Sequence, residues 1–222
     1  MKVLLFGATG MVGQGVLREC LLDQDVNAVL TVGRTATGVQ HTKLKEMVQK
    51  DLGQNPAVEG DWCGFDACFF CLGVSSAGMK EADYERVTYG ITLASAEILS
   101  RLNPGMTFIY VSGTGTDSTE HGRAMWARVK GKTENTLLRL PFKAAYMFRP
   151  GFIQPLHGVR SKTTLYNVFY ALSKPLTPLL RFALPNLILT TEEIGRAMLA
   201  VAKRGAPKRI LESKDIRAAL LA

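Results

Sequence analysis

Apolar residues along this chain fall into short unbroken runs, separated by stretches whose apolar positions recur every three to four residues. The first run, Val3-Leu4-Leu5-Phe6, shows no polar alternation, so it reads as a parallel strand buried on both faces. It stops on Gly7. Val12, Val16, Leu17 and Leu21 then follow at helical spacing. The alternation continues. Residues 27–34 form a second strand ending on Gly33 and Arg34. Residues 43–49, with Leu44, Met47 and Val48, fit a short helix or an irregular strand equally well. Residues 65–73 are a strongly apolar strand, and a helix is predicted over about 81–99 with Val87, Ile91, Ala94 and Ile98 facing inward. Residues 106–111 make the next strand, a helix covers about 123–139, and 144–148 form a strand that ends on Arg149-Pro150-Gly151. Repeated strand–helix–strand units close with right-handed crossovers, which predicts an α/β fold around a doubly wound parallel sheet.

The last third changes character. Leu, Tyr, Phe and Pro dominate 156–185, and Leu165, Val168, Phe169 and Leu172 mark a helix with an aromatic face. Pro175, Pro178 and Pro185 interrupt it. This stretch is expected to be a lid or substrate-facing subregion, with a packing layer or self-association surface as the alternatives. Residues 190–203 form an amphipathic helix with Thr191 as its cap and Glu192 and Glu193 in its first turn. The expected organisation is a single domain. It has a strand–helix core over 1–155, an apolar subregion over 156–190, and a C-terminal helix and tail over 191–222 packing on the core.

Composition narrows the function. The 222 residues are 47% hydrophobic, enough for one large core. No apolar run approaches the roughly 18 residues of a membrane span, and the run after Lys2 is too short for a signal sequence, so a cytoplasmic protein is expected. Lys and Arg number 27 against 19 Asp and Glu, a net charge of +8. The basic residues are dispersed, with no basic helix and no aromatic–basic interleaving, so a nucleic-acid partner is not expected. A positive field also suits a phosphate-bearing small molecule. Of the four cysteines, Cys68 and Cys71 have C-x-x-C spacing. They lie in a strand pattern that points them to opposite faces, so free buried thiols and no metal are expected beside Cys20 and Cys63.

The candidate chemistry starts at Gly7-Ala8-Thr9-Gly10-Met11-Val12-Gly13, between the first strand and the first helix. Gly7 permits the sharp turn, Gly10 lets a diphosphate approach the backbone, and Gly13 lets the helix pack close to the strand. The helix start presents N–H groups and a positive dipole end to an anion. These features predict dinucleotide binding. At the end of the second strand an acidic residue would select NAD by its ribose hydroxyl, whereas Arg34 with Thr35 suits the 2′-phosphate of NADP. Such a charge-assisted contact contributes about 1.5–3 kcal/mol. The exits of two other strands, Cys71-Leu72-Gly73 and the Ser/Thr/Gly run from Ser112 to Asp117, belong to the same carboxyl edge.

With these motifs in this order the chain resembles an atypical short-chain dehydrogenase/reductase, of the NmrA-like and Tat-interacting-protein-like branch of the epimerase/dehydratase superfamily. The glycine loop, Gly33-Arg34, Asp51-Leu52, Tyr110-Val111-Ser112, Val129-Lys130-Gly131-Lys132-Thr133-Glu134 and Arg149-Pro150-Gly151 carry the likeness. It implies a Rossmann fold and a cofactor site made of Gly7, Thr9, Gly10, Met11, Val12, Gly13, Arg34, Thr35, Asp51, Leu52, Cys71, Leu72, Gly73, Lys130, Arg149, Pro150 and Gly151. It also implies that Ser112 orients a substrate and that Lys130 holds the nicotinamide ribose and lowers the pKa of a tyrosine one helical turn earlier. That position holds Trp126. A phenol ionises near pH ~10 and can be tuned, but an indole N–H only donates a hydrogen bond. Tyr84, Tyr89, His121 and Tyr146 are the substitutes to consider. Two readings stay open: an NADP-dependent reductase or epimerase-like enzyme of unknown substrate, and a non-catalytic NADP(H) sensor that docks a protein partner.

Overall fold

The apolar runs become the strands of one parallel sheet. A computed structural model describes residues 1–49, 60–159 and 188–221. In chain order the strands are β1 (Lys2–Phe6), β2 (Ala28–Gly33), β3 (Leu44–Val48), β4 (Ala67–Phe70), β5 (Thr107–Val111), β6 (Ala144–Arg149), β7 (Phe152–Gln154), β8 (Ile188–Thr190) and β9 (Ile210–Glu212). The sheet has seven strands in the order β3-β2-β1-β4-β5-β6-β9, while β7 and β8 pair separately. Strand order reverses between β1 and β4, which in open α/β sheets opens a crevice at the carboxyl ends.

The helices are α1 (Met11–Leu22), α2 (Glu81–Glu85), α3 (Ile91–Leu102), α4 (Met125–Leu137), α5 (Thr191–Arg204) and α6 (Ser213–Ala218). Successive strand residues feed two cores. Val3 and Leu5 join Phe69, Ile109 and Phe148 beneath α1, α5 and α6. Leu4 and Phe6 join Phe70, Phe108 and Tyr110 beneath α3 and α4. Both faces are therefore dry, which is why the strands read as unbroken apolar runs. The second core is an aromatic row: Phe6 stacks on Phe70 at 4.8 Å and Phe108 on Phe142 at 4.9 Å between centroids.

Residues 44–48 form an edge strand, one of the two readings left open for 43–49. Several expectations are corrected. The predicted helix over 81–99 is broken by a π-helical turn at Arg86–Gly90. That turn adds a residue and rotates the helix beyond it by about 100°. The inner face is consequently Thr88, Thr92, Ser95, Ala96 and Leu99, one position on from the predicted stripe, with Ile91 and Ile98 at its margin. Helix α5 is capped by Thr190, not Thr191. The Thr190 hydroxyl accepts from the Glu193 N–H while the Glu193 carboxylate accepts from the Thr190 N–H. The sheet takes its last strand from 210–212, beyond the expected 1–155 core. All four cysteines are free, but Cys63 is exposed rather than buried. Most of the 156–190 subregion lies outside the described residues, as do Asp51 and Leu52. No helix among the described residues is long and apolar enough to cross a membrane.

A buried ion pair fastens α4 to the sheet. Glu134 is fully buried on α4, and Arg149 at the end of β6 donates from Nε to both its carboxylate oxygens at 3.0 and 3.1 Å. The same guanidinium donates from Nη2 to Glu134 and, at 2.6 Å, to the Ser118 hydroxyl. The Ser112 hydroxyl, just past β5, also donates to Glu134. Breaking a buried pair from one side leaves an uncompensated charge in low dielectric. Arg149→Met is therefore expected to lower unfolding free energy by about 3–5 kcal/mol, read from denaturant midpoints. Replacing both partners with apolar residues (Arg149→Met with Glu134→Leu) is expected to recover most of that loss, and an equal or larger loss in the double variant would contradict the role given to the pair.

Candidate functional site

The carboxyl edge of the sheet holds a cleft of two joined chambers. The first, about 350 Å³, is walled by Gly7, Thr9 and Gly10 after β1, by Gly33, Arg34 and Thr35 after β2, and by Cys71, Leu72 and Gly73 after β4. Its shape depends on missing side chains. Gly7 sits at φ +78°, and a Cβ there would lie 2.7 Å from the Cys71 carbonyl. A Cβ on Gly13 would lie 2.1 Å from the Gly7 oxygen, so α1 can start only this close to the loop with glycine at that position. Gly10 is the N-cap of α1 and brings no capping side chain, and with Met11 and Val12 it borders the cleft. Arg34 and Thr35 are exposed on the rim.

The second chamber, about 680 Å³, shares Gly10, Cys71, Leu72 and Gly73 with the first. Met11 and Val12 continue one wall, and Ser112, Trp126, Lys130, Pro150 and Gly151 form the other. Lys130 donates from Nζ to the Ser112 carbonyl at 2.7 Å. Burial pushes the Lys130 ammonium down to about 8, while the neighbouring Glu134 carboxylate pulls it up. Trp126, one turn before Lys130, covers Gly115, where an added Cβ would touch the indole edge at 3.4 Å. The Ser112 hydroxyl is largely buried and is engaged by Glu134 and by the Phe148 carbonyl at 3.2 Å. The other hydroxyls of the loop are also engaged: Thr114 donates to the Arg149 carbonyl at 3.0 Å and Thr116 to the Gly113 carbonyl at 2.7 Å.

Most of the residues singled out from the sequence thus meet along one cleft. Two do not line it. Gly13 serves packing, and the Arg149 side chain belongs to the Glu134 pair. Of the substitutes for the absent phenol, Tyr84 lines the second chamber. Tyr89 lies under the Lys132 ammonium, 4.5 Å from its ring centre, and His121 is exposed in a loop. Tyr146 faces the opposite core, its hydroxyl accepting from the Ala206 N–H at 3.1 Å. The anchoring role of Glu134 escaped the sequence reading. Its signal was present: Glu134 falls on the same helical stripe as the buried Leu137, where an unpaired carboxylate would not be tolerated.

No family model matches the chain. Among curated proteins it is similar to protein FMP52-2, mitochondrial, of Scheffersomyces stipitis, 28% identical over 152 residues, or 67% of this chain and 65% of that protein. Protein HTATIP2 of Rattus norvegicus is 26% identical over 68% of this chain and 62% of its own length. The chain therefore spans about two thirds of these relatives. A longer alignment joins it to protein fmp52-2, mitochondrial, of Aspergillus oryzae, 25% identical over 96% of this chain and 93% of that one. Among solved structures, Bordetella bronchiseptica WbmF in complex with NAD+ superposes with a TM-score of 0.66 at 14% identity, covering 99% of this chain and 76% of that one. A UDP-galactose 4-epimerase gives 0.67 at 15% identity, covering 96% and 76%. The Saccharomyces cerevisiae short-chain dehydrogenase/reductase YIR035C gives 0.60 at 17%, covering 96% of each chain. The relatives overturn the cytoplasmic expectation, because the FMP52 proteins are named mitochondrial. That expectation rested on lacking a signal sequence and a membrane span, and neither absence decides a compartment. The chain resembles the FMP52 and HTATIP2 proteins in sequence, and it has the Rossmann fold of the short-chain dehydrogenases/reductases and epimerases, as its glycine loop foretold.

Proposed function

We propose that this chain binds NADP(H) across the two chambers and acts as a reductase-like or epimerase-like member of the atypical short-chain dehydrogenases/reductases, on a small molecule. The supporting observation is that one cleft joins Arg34 and the glycine loop at one end to Ser112 and Lys130 at the other. The residues fit the group. Gly10 leaves the backbone bare where a diphosphate would lie, the start of α1 faces it, and the Arg34 guanidinium can reach a 2′-phosphate from the rim. When bound, the dinucleotide supplies the redox chemistry. Lys130, held by the Ser112 carbonyl, would donate to the ribose next to the nicotinamide. Trp126 would wall the reacting end without exchanging a proton. Likeness to the FMP52 proteins, which are named mitochondrial, supports a mitochondrial setting. The second reading, NADP(H) binding without turnover and docking of a protein partner, is favoured by Trp126 alone.

Arg34→Ala is expected to weaken NADPH binding about ten- to a hundredfold while leaving NADH within about twofold, measured by fluorescence titration. Equal losses for both nucleotides would contradict the role given to Arg34. A second expectation concerns pH. Lys130 carries its charge below about 8 and loses it above, whereas a solvated lysine keeps it to 10.5. NADPH affinity is therefore expected to be flat below that value and to fall as pH rises through it. Lys130→Met should bind more weakly at neutral pH and lose this dependence; an unchanged profile in the variant would assign the titration to another group.

A further inference from the structure

The cleft lacks a phenol where α4 would ordinarily present one, but it has a phenol on another element. Among the described residues Tyr84 is the tyrosine that lines the chamber holding Ser112, Trp126 and Lys130. It comes from α2, a single helical turn whose place is fixed from two sides. On its outer face Glu81 accepts from Arg128 at 2.7 Å and Glu85 from Lys132 at 2.5 Å. Glu81 and Glu85 are four residues apart on α2, and Arg128 and Lys132 are four apart on α4, so the two helices are zipped in one register. On the other side the π-helical turn Arg86–Gly90 follows directly and carries the buried Thr88 beside the phenol. Such turns change the register of a helix locally and recur at functional sites. Here the turn lets α3 pack on the sheet while α2 keeps Tyr84 turned toward α4.

We propose that the Tyr84 phenol is the proton donor to the substrate carbonyl in this cleft, filling from α2 the role that Trp126 leaves open on α4. The inference rests on the dinucleotide reading above. The substrate class is an aldehyde, ketone or quinone. The phenolic O–H bond breaks and its proton bonds to the carbonyl oxygen, while the carbonyl carbon gains a hydride from the reduced nicotinamide. The products are the alcohol (the hydroquinone from a quinone) and oxidised dinucleotide, and the phenolate regains its proton from water in the open chamber. Burial holds the Tyr84 phenol above its ordinary range, so it is protonated at neutral pH and ready to donate. The ionisable groups around it are Tyr110 on β5 and Lys130 on α4, while on its own helix Glu81 and Glu85 are paired with Arg128 and Lys132 and Asp83 with Arg86. Tyr110 is itself held protonated by burial.

Tyr84→Phe removes one oxygen and keeps the ring. NADPH titration of the wild type and the variant comes first and is expected to agree within about twofold, which also shows that the variant folds. Single-turnover NADPH oxidation is then followed with a panel of aldehydes, ketones and quinones. The wild type is expected to react with part of the panel and Tyr84→Phe to lose about a hundredfold or more in rate. Adding Trp126→Tyr to Tyr84→Phe should restore part of it. A readout without turnover is the near-ultraviolet phenolate absorbance against pH. NADP+ brings a positive ring to the phenol, so in the wild type one tyrosine should ionise about one pH unit lower when NADP+ is bound, and this shift should be missing from Tyr84→Phe. Equal rates in the two proteins, a titration unmoved by NADP+, or a wild type that binds NADPH yet reduces nothing in the panel would each overturn the proposal. Failure of the wild type to bind NADPH would instead overturn the dinucleotide reading beneath it.

Discussion

Glu134 is a carboxylate with no exposure to water, and the arrangement of the second chamber hangs on how it is neutralised. An isolated buried charge costs several kcal/mol. The chain meets this cost with the guanidinium of Arg149 and the hydroxyl of Ser112, drawn from the ends of two neighbouring strands. Those contacts fix α4 against β5 and β6. With α4 fixed, Lys130 reaches the Ser112 carbonyl and Trp126 lies over Gly115. Glycine at position 131 completes the fit, since a Cβ there would come within 1.8 Å of the Asp117 oxygen. The site's lysine is thus set by a carboxylate that does not itself line the cleft. The same carboxylate opposes the loss of charge that burial imposes on Lys130.

The other half of the cleft is built by subtraction. Glycines at 7, 10 and 13 let a strand end, a turn and a helix start occupy nearly the same space. What they leave is a backbone surface open to an anion, with Arg34 at its margin. The two halves use opposite devices, side chains removed at one end and charges buried at the other. They meet where the sheet reverses its strand order between β1 and β4.

The central strands, the parallel sheet and the glycine loop could be read from the sequence because each arises from a local pattern. Val3 to Phe6 is buried on both faces and has to be apolar throughout; Gly7 and Gly13 stand where only glycine fits. The register of the helix after Tyr84 could not be read, because a π-helical turn shifts the periodicity by one residue and leaves no compositional mark at Arg86–Gly90. The edge strand Leu44–Val48 is only half apolar, so its pattern did not separate strand from helix. The seventh strand, Ile210–Glu212, is three residues long and is fixed by its pairing with β6. At the site, the order of Ser112 and Lys130 along the chain was visible. The convergence of Glu134, Arg149 and Ser112, and the arrival of Tyr84 from a separate helix, depend on contacts between residues far apart in sequence.

A crystal structure of the protein with NADP+ bound tests the two-chamber cleft most directly. The 2′-phosphate is predicted to lie beside Arg34, the diphosphate over Gly10 and the start of α1, and the nicotinamide in the chamber of Lys130, Trp126 and Tyr84. A cleft that stays empty under saturating NADP+, or a dinucleotide seated elsewhere on the sheet, would contradict that assignment.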